Sequence, residues 1–365
     1  MHRIVDFTSA LYLGWEHSRI GRRADRLEAL TLGKPAALEE PPGSRTLAER
    51  MAGLTGFEAG LTSPSTLHLA LDVSMFLGTQ GVEFVADKGI YPVGRRGLEI
   101  ASARGSRVQW FQHHNPESLR VLLMSSRRTP VVVSDGFCPA CGSLAPLEQY
   151  LALTREYGGW LLVDDTQALG ILGNRLGGLN PGLPYGQGGG GSRAFLDLEG
   201  EETIVICSLS KAFGTPLASV LGSSRFIEDF ADASMTRMHC SPPSTSAIRT
   251  GLYALDMNRR IGDRLRQHLF RLVIACRKWL LQRGWKLADG LFPVQAIEHT
   301  AAPDLQRGLL SLGVKTLLQR SGKAGGTRLA FVLNASHQLE DLTQLVQALD
   351  QISKGKVQYE RRIAI

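Results

Sequence analysis

The sequence has no apolar run long enough to cross a membrane and no dense block of basic residues. Charged residues interrupt every apolar stretch well before the roughly 20 residues that a spanning helix needs. The 41 Lys and Arg residues exceed the 34 Asp and Glu residues, which gives a net charge of +7, but they are dispersed in short doublets such as Arg22-Arg23. Dispersed positive charge favours anionic small molecules over nucleic acid, so we expect neither a nucleic-acid partner nor a membrane partner.

Cysteine is also scarce. The five cysteines are too few and too scattered for a disulfide framework. Cys138 and Cys141 form a lone CxxC pair, and a structural zinc ion needs four ligands. A zinc or redox role for that pair is therefore a minor alternative, and we expect no metal. The N-terminal MHRIVDFTSALYLGW lacks the apolar run of a signal peptide, which predicts a cytoplasmic protein.

Apolar, β-branched segments alternate with helical patterns along most of the chain. A stretch such as APLEQYLALTREYG carries apolar residues at helical spacing. Strands that are apolar throughout and alternate with helices predict an α/β fold with a mostly parallel sheet flanked by helices. The predicted strands lie at residues 82–87, 107–112, 129–135, 160–165 and 203–210.

The last third of the chain changes character. Long helical patterns there are followed by short strands such as 327–333 and by the amphipathic LEDLTQLVQALDQI, which predicts a smaller α+β domain. We therefore expect an N-terminal arm at residues 1–45, a large cofactor-binding domain at 46–235 and a small C-terminal domain at 236–365.

Segment 174–200 is rich in glycine, which predicts a mobile loop or an insertion. It contains Gly186, Gly188 and Gly191 in the spacing of a dinucleotide-binding fingerprint. That fingerprint needs a strand before it and a helix after it, and the flanking sequence predicts neither. We therefore reject a dinucleotide site.

Two charged side chains follow predicted buried strands. Asp164 closes the strand at 160–165, and a carboxylate there is costly unless a cation meets it. Lys211 follows the strand at 203–210, just before a glycine turn. Ligands in open α/β sheets lie beyond the carboxyl ends of strands. Pyridoxal 5'-phosphate (PLP) needs one lysine for a Schiff base and one carboxylate for its protonated pyridine nitrogen, so the pair predicts a PLP site; a surface lysine is the alternative.

The ordered motifs of the chain resemble those of the α-oxoamine synthases, a group of fold-type-I PLP enzymes that includes 8-amino-7-oxononanoate synthase. DFTSALYLGW is similar to FSSNDYLGL, WLLVDDTQALG to LLMVDDAHGTG, SLSKAFG to TLGKAFG, and GGTRLAFVLNASH to GTARLRLTLTAAH. The similarity covers nearly the whole length. It implies a large domain with a mostly parallel sheet, a smaller α+β C-terminal domain, PLP as cofactor and a homodimer.

The resemblance also implies roles for single residues. Lys211 corresponds to the catalytic Schiff-base lysine and Asp164 to the partner of the pyridine nitrogen. The turn that holds Ser65 and Thr66 corresponds to the family's phosphate-binding turn, and Ser208 corresponds to a phosphate-binding hydroxyl.

Other matched positions concern the ring, the substrate and the dimer. Tyr91 stands where the family has a histidine that stacks on the ring, with an ordinary core tyrosine as the alternative. Gln167 stands where a histidine contacts the ring oxygen. Arg328 corresponds to the first arginine of ARLRL and is a candidate substrate residue, with a purely structural role as the alternative. Asp165 points to the opposite strand face from Asp164, so we expect it to be a structural cap. His239 lies where a neighbouring subunit reaches the phosphate, with an ordinary interface histidine as the alternative.

The substrate half of the motifs departs from the family. Ala10 replaces an asparagine and Ala330 replaces the second arginine of ARLRL, and in the family these two groups hold the carboxylate of an amino acid. An alanine supplies neither charge nor donor. Gln167 cannot titrate near neutrality as histidine does. We therefore expect a specialised relative with altered carboxylate recognition.

Three functions are compatible with these residues. The first is condensation of a small amino substrate with an acyl-CoA or acyl-carrier thioester. The second is transamination, because the synthase histidines are not kept at Tyr91 and Gln167. The third is a catalytically silent partner subunit, against which the presence of Lys211 argues.

Overall fold

The computed structural model describes residues 4–17, 29–175, 183–320 and 326–363. Its strands are β1 Val5–Asp6, β2 Ala59–Ser63, β3 Glu83–Asp87, β4 Arg107–Phe111, β5 Pro130–Asp135, β6 Phe137–Cys138, β7 Ser143–Leu144, β8 Trp160–Asp164, β9 Thr203–Ser208, β10 Ala218–Gly222, β11 Val294–Glu298, β12 Val314–Lys315, β13 Leu317–Arg320 and β14 Thr327–Val332.

The helices are α1 Ser44–Thr55, α2 Thr66–Thr79, α3 Pro92–Ala103, α4 Pro116–Met124, α5 Leu147–Glu156, α6 Gly191–Leu196, α7 Ser224–Ala233, α8 Met235–His239, α9 Thr245–Met257, α10 Asp263–Leu281, α11 Ala302–Ser311 and α12 Leu339–Ile363, with a π-helix at Asn258–Gly262 between α9 and α10. No helix among the described residues is both long enough and apolar enough to traverse a bilayer.

The described residues pack as two compact units. The larger unit contains Glu16–Cys138 and Leu144–Asp263, and the smaller contains Met1–Trp15, Pro139–Ser143 and Arg264–Ile365. The sequence analysis placed domain boundaries after residues 45 and 235, and these differ from the bounds of the two compact units. That those predicted domains fold independently stays a prediction.

The larger unit is built on a seven-stranded sheet with the order β2-β10-β9-β8-β5-β3-β4. Its neighbours pair in parallel except at β10, which is antiparallel to both β2 and β9. The predicted α/β fold with a mostly parallel sheet is thus confirmed, and all five predicted strands form. The strands are apolar because both faces are covered, as the buried side chains of Phe84, Val131, Leu162 and Ile204 illustrate.

The reversal of β10 places two distant turns at one edge of the sheet. Ala218 of β10 pairs with Ser208, the last residue of β9, and with Ser63, the last residue of β2. Because β2 therefore runs in the same direction as β9, the turn after β2 and the turn after β9 both leave the carboxyl edge.

The glycine-rich segment is packed where it is described. Gly173 donates its N–H to the carbonyl of buried Tyr185 at 2.8 Å. Asp263 accepts the N–H of Gly188 at 3.0 Å, and Asn258 donates to the Gly188 carbonyl at 2.7 Å. The expectation of a mobile loop therefore does not hold for residues 183–191, whereas 176–182 lie outside the described residues.

The smaller unit contains the antiparallel sheet β11-β14-β13 and the parallel pair β1-β12, accompanied by α10, α11 and α12. The strand predicted at 327–333 forms β14, and the amphipathic LEDLTQLVQALDQI begins α12 at Leu339. The predicted α+β character of this part of the chain is confirmed.

Candidate functional site

Asp164 is the last residue of β8 and lies between the ends of two neighbouring strands. It pairs with Asp135 of β5 on one side and with Ile206 of β9 on the other. One carboxylate oxygen accepts the N–H of Thr166 at 3.0 Å. Burial raises the pKa of Asp164 above its ordinary value, although Thr166 and Lys211 act in the opposite direction. The anionic form is therefore short of neutralising partners.

Lys211 is half-buried in the turn after β9. Burial lowers the pKa of its ammonium group, while the charges of Asp164 and Asp135 act to raise it. No carboxylate within the described part of the chain forms an ion pair with its Nζ. The amine is thus held near two acids without being bound to either, and burial makes its neutral, nucleophilic form more accessible.

These two side chains fit PLP. A protonated pyridine nitrogen is the cation that would relieve the costly charge of Asp164, and a desolvated amine is what the cofactor's aldehyde would bind. The fit is supported by the raised pKa of Asp164, whose carboxylate accepts the N–H of Thr166 and forms no ion pair with Lys211.

The turn before α2 supplies groups that suit a phosphate. Ser65 is the N-cap of this helix: its hydroxyl accepts the N–H of His68 and lies 2.8 Å from the Nδ1 of the same residue. The N–H groups of the first helical turn, beginning with Thr66, have no partners inside the helix. Such a helix start attracts anions. At the end of β9, the Ser208 hydroxyl lies 2.5 Å from that of Ser210. Phosphate roles for Ser65, Thr66 and Ser208 stay proposals.

The two residues expected beside the ring follow other strand ends. Tyr91 is the residue before α3, and its side chain is exposed. Gln167 is half-buried in the turn after β8, next to Thr166. The hydroxyl of Thr166 accepts the N–H of Ser208 at 3.1 Å, which ties this turn to β9. Ring contacts by Tyr91 and Gln167 remain predictions.

Asp165 acts as a cap, as expected from its opposite orientation. It is buried, and one of its oxygens accepts the N–H of Ser192 in the first turn of α6 at 2.8 Å. The other oxygen has no hydrogen-bond partner. A Cβ on Gly136 or on Gly191 would come within about 2.1 Å of the carboxylate, so both positions require glycine. Burial raises the pKa of Asp165 from 3.8 to about 7.

This raised pKa predicts a pH-dependent stability for the protein without cofactor. A carboxyl group that binds its proton more tightly when folded favours the native state at low pH, and this contribution is lost as the pH rises from about 4 through about 7. Between pH 5 and pH 8 the loss amounts to about 3 kcal/mol in the free energy of unfolding. Urea unfolding at pH 5 and pH 8 measures it.

Asp165→Asn should remove the Asp165 share of the measured pH dependence and leave the shares of Asp164 and Asp135, whose pKa values are also raised, whereas exposed Asp304→Asn, on α11, should leave it unchanged. An equal pH dependence in wild type and Asp165→Asn would show that the Asp165 carboxyl group does not titrate between pH 5 and pH 8.

Asp135 is the site residue that the sequence analysis missed. It ends β5 directly opposite Asp164, and both of its oxygens accept the N–H of Tyr91, at 3.0 and 3.2 Å. A signal was present, because PVVVSD ends in an acid at a strand terminus just as WLLVDD does.

Arg328 lies on β14 in the smaller unit and already has partners. Its guanidinium forms an ion pair with Glu298 at 2.6 Å and donates to the carbonyl of Ala140 at 2.8 Å. Its Nε is buried without a partner. Ala330, two residues along the strand, faces Ala296 and Leu317 across the sheet. A substrate role for Arg328 stays a prediction.

Comparison with known proteins gives concordant results. A family model described as aminotransferase class I and II matches residues 22–349. The 8-amino-7-oxononanoate synthase of Nitrosococcus oceani is 30% identical in sequence, over 96% of this chain and 92% of its own length.

Solved structures share the fold at lower identity. A serine palmitoyltransferase from S. paucimobilis with bound PLP superposes with a TM-score of 0.84 at 17% identity, covering 96% of this chain and 88% of the other. The 8-amino-7-oxononanoate synthase of Francisella tularensis gives a TM-score of 0.74, also at 17% identity, over 98% of this chain and 99% of that one.

Proposed function

We propose, because the chain belongs to the aminotransferase class I and II family and within it to the α-oxoamine synthases, that it condenses a small amino substrate with the acyl group of a thioester. The enzyme is a PLP-dependent transferase, and PLP is its cofactor. The observation that carries the proposal is the arrangement of Lys211 and Asp164 at the carboxyl edge of the sheet, close enough to influence each other without forming an ion pair.

Lys211 would hold the cofactor through its aldehyde carbon and Asp164 through its pyridine nitrogen, while Ser65, Thr66 and Ser208 would hold the phosphate. When bound, PLP supplies an electron sink for the carbanion that forms at the substrate carbon. The anionic form of Asp164 would hold the proton on the ring nitrogen and so support that electron sink.

Lys211 also suits the proton transfers of a condensation. Burial lowers the pKa of its amine, so the neutral form is populated closer to neutral pH than for an exposed lysine. With its amine free, the Nζ of Lys211 would take up the proton from the substrate carbon and later return a proton. Nearby Asp164 and Asp135 limit how far the pKa falls, so the amine remains able to act as a base.

The substrate half of the proposal follows from what the chain lacks. Ala10 and Ala330 stand where the α-oxoamine synthases have the asparagine and the arginine that hold an amino-acid carboxylate. The amino substrate is therefore expected to be held differently from the free amino acids of that family. Two donors of the acyl group, acyl-CoA and an acyl-carrier thioester, are compatible with the proposal.

The condensation is tested by incubating the PLP-loaded protein with a panel of amino substrates and acyl thioesters and following free thiol with a chromogenic disulfide. We expect thiol to appear only when both substrates are present, because the acyl group has no acceptor otherwise. The matched control is protein from which PLP has been removed. Tight PLP binding without thiol from any pair of substrates would contradict the proposal.

Transamination is the second candidate, and the absence of both histidines at positions 91 and 167 favours it. It requires only an amine donor in its first half, which converts the cofactor to its pyridoxamine form and moves the visible absorption to shorter wavelength. A silent partner subunit would bind PLP and give neither result. The two assays together therefore separate the three functions.

The assembly and the location of the protein stay predictions. We propose a homodimer, and a cytoplasmic protein, as the family resemblance and the N-terminal sequence imply. Whether His239, the last residue of α8, serves the neighbouring subunit depends on that dimer.

A further inference from the structure

Asp135 joins the end of β5 to the start of α3. Helix α3 begins at Pro92, and Tyr91 before it provides no side-chain cap. The Tyr91 N–H is instead accepted by Asp135, which belongs to a different element 44 residues away. The exposed Tyr91 side chain therefore extends from a backbone whose position depends on this carboxyl group.

Opposing forces act on the charge of Asp135. Burial raises its pKa well above the ordinary value, and the charges of Asp164 on β8 and Asp87 on β3 act in the same direction. The Tyr91 N–H and His113, which follows β4, act to lower it but do not prevail. Lys211, after β9, is the other charged group in this cluster.

Asp135 and Asp164, on the adjacent strands β5 and β8, therefore resist being ionised at the same time. Like charges placed opposite each other on neighbouring strands repel. Asp87 does not take up the proton in their place, because its carboxylate already accepts hydrogen bonds from His113 and from the N–H groups of Gly89 and His114, which lower its pKa. Asp135 therefore holds a proton more readily than an exposed aspartate does, and it remains an acceptor for the Tyr91 N–H in either protonation state.

We propose that Asp135 is a positioning residue of this site: its carboxyl group fixes the start of α3, and with it Tyr91, and it modulates the charge that Lys211 and Asp164 experience. The role rests on the proposed function, in that the ring beside Tyr91 would be that of PLP. Neither the family resemblance nor the comparisons assign Asp135 a role.

Two substitutions separate the two parts of this role. Asp135→Asn keeps an oxygen that can accept the Tyr91 N–H but cannot ionise, whereas Asp135→Ala loses both properties. We expect Asp135→Asn to bind PLP within about threefold of wild type and Asp135→Ala to bind it about tenfold more weakly, as for loss of one buried hydrogen bond. Absorbance titration with PLP measures the dissociation constants.

The charge effect is read from Lys211 in protein without PLP. In the alkaline range where Lys211 loses its proton, either substitution removes the negative charge of Asp135, which acts to raise the pKa of Lys211, so that pKa should fall by about half to one unit. Lys211 is modified with a small amine-reactive reagent, and peptide mass spectrometry follows the rate of modification. The pH dependence of that rate reports the shift. Glu83→Gln is the matched control, because Glu83 is a buried strand acid at the opposite end of β3.

The link to Tyr91 is tested by coupling. Tyr91→Ala removes the ring but keeps the N–H, so Asp135→Ala should weaken PLP binding in wild type and add little in Tyr91→Ala protein. Additive effects, or an unchanged dissociation constant and Lys211 pKa, would overturn the inference. If Asp135→Ala does not fold, the Lys211 titration of Asp135→Asn decides. Because none of these readouts requires turnover, absence of thiol release would count against the proposed function alone.

Discussion

Lys211→Ala should abolish covalent retention of PLP and reduce turnover by at least about three orders of magnitude. Among the described residues Lys88 also follows a strand of the central sheet, but that strand, β3, does not adjoin β8, and Lys211 is the lysine whose charge acts on the pKa of Asp164, so we expect no other amine to replace it. Borohydride treatment followed by peptide mapping measures the attachment, and thiol release measures turnover. Lys278→Ala, at an exposed position of α10, is the control and should behave as wild type.

The outcome has a direct interpretation in either case. If borohydride fixes PLP to a peptide that lacks Lys211, the assignment of the site is wrong. If Lys211→Ala retains turnover while it no longer retains PLP covalently, the lysine only anchors the cofactor, and its assignment as the proton-transferring base is wrong.

Asp164→Asn should have opposite effects on cofactor binding and on the stability of the protein without cofactor. Loss of the carboxylate removes the partner of the pyridine nitrogen, so we expect PLP to bind about 10- to 100-fold more weakly and turnover to fall about 100-fold or more. The amide stays uncharged and avoids the cost of burying an anion. The melting temperature without PLP should therefore rise at neutral pH.

The sign of that stability change follows from the pKa. The pKa of Asp164 in the folded protein lies above its ordinary value, so its contribution to stability is present at low pH and is lost as the pH rises through the folded pKa. The gain of Asp164→Asn should accordingly vanish below about pH 4. Asp164→Glu keeps the charge and should restore part of the activity but none of the stability. Equal PLP affinity in Asp164→Asn and wild type would exclude the ring-nitrogen role.

The sheet and the two central side chains could be predicted from the sequence because their signals are local. Each parallel strand is buried on both faces and therefore apolar throughout, as WLLVD of β8 shows. An acid or a lysine directly after such a run is costly, and this marks Asp164 and Lys211 without any knowledge of the structure.

Other features depend on partners that are distant in the sequence. Strands β2 and β10 were missed, because AGLTS and ASVLG are short and contain glycine, and their strand conformation comes from pairing with each other and with β9. The role of Asp135 is visible only once its contact with Tyr91 is known. The partner of Arg328 is likewise Glu298, 30 residues earlier.

The antiparallel insertion of β10 has a consequence for the order in which the protein is made. Among the described strands, β2 pairs only with β10, so the turn with Ser65 is fixed beside Lys211 only after Ala218–Gly222 has been synthesised and inserted. A contact that spans some 150 residues forms late, since loop closure is costly. During synthesis on the ribosome, the cofactor pocket is thus incomplete until β10 has emerged from the exit tunnel.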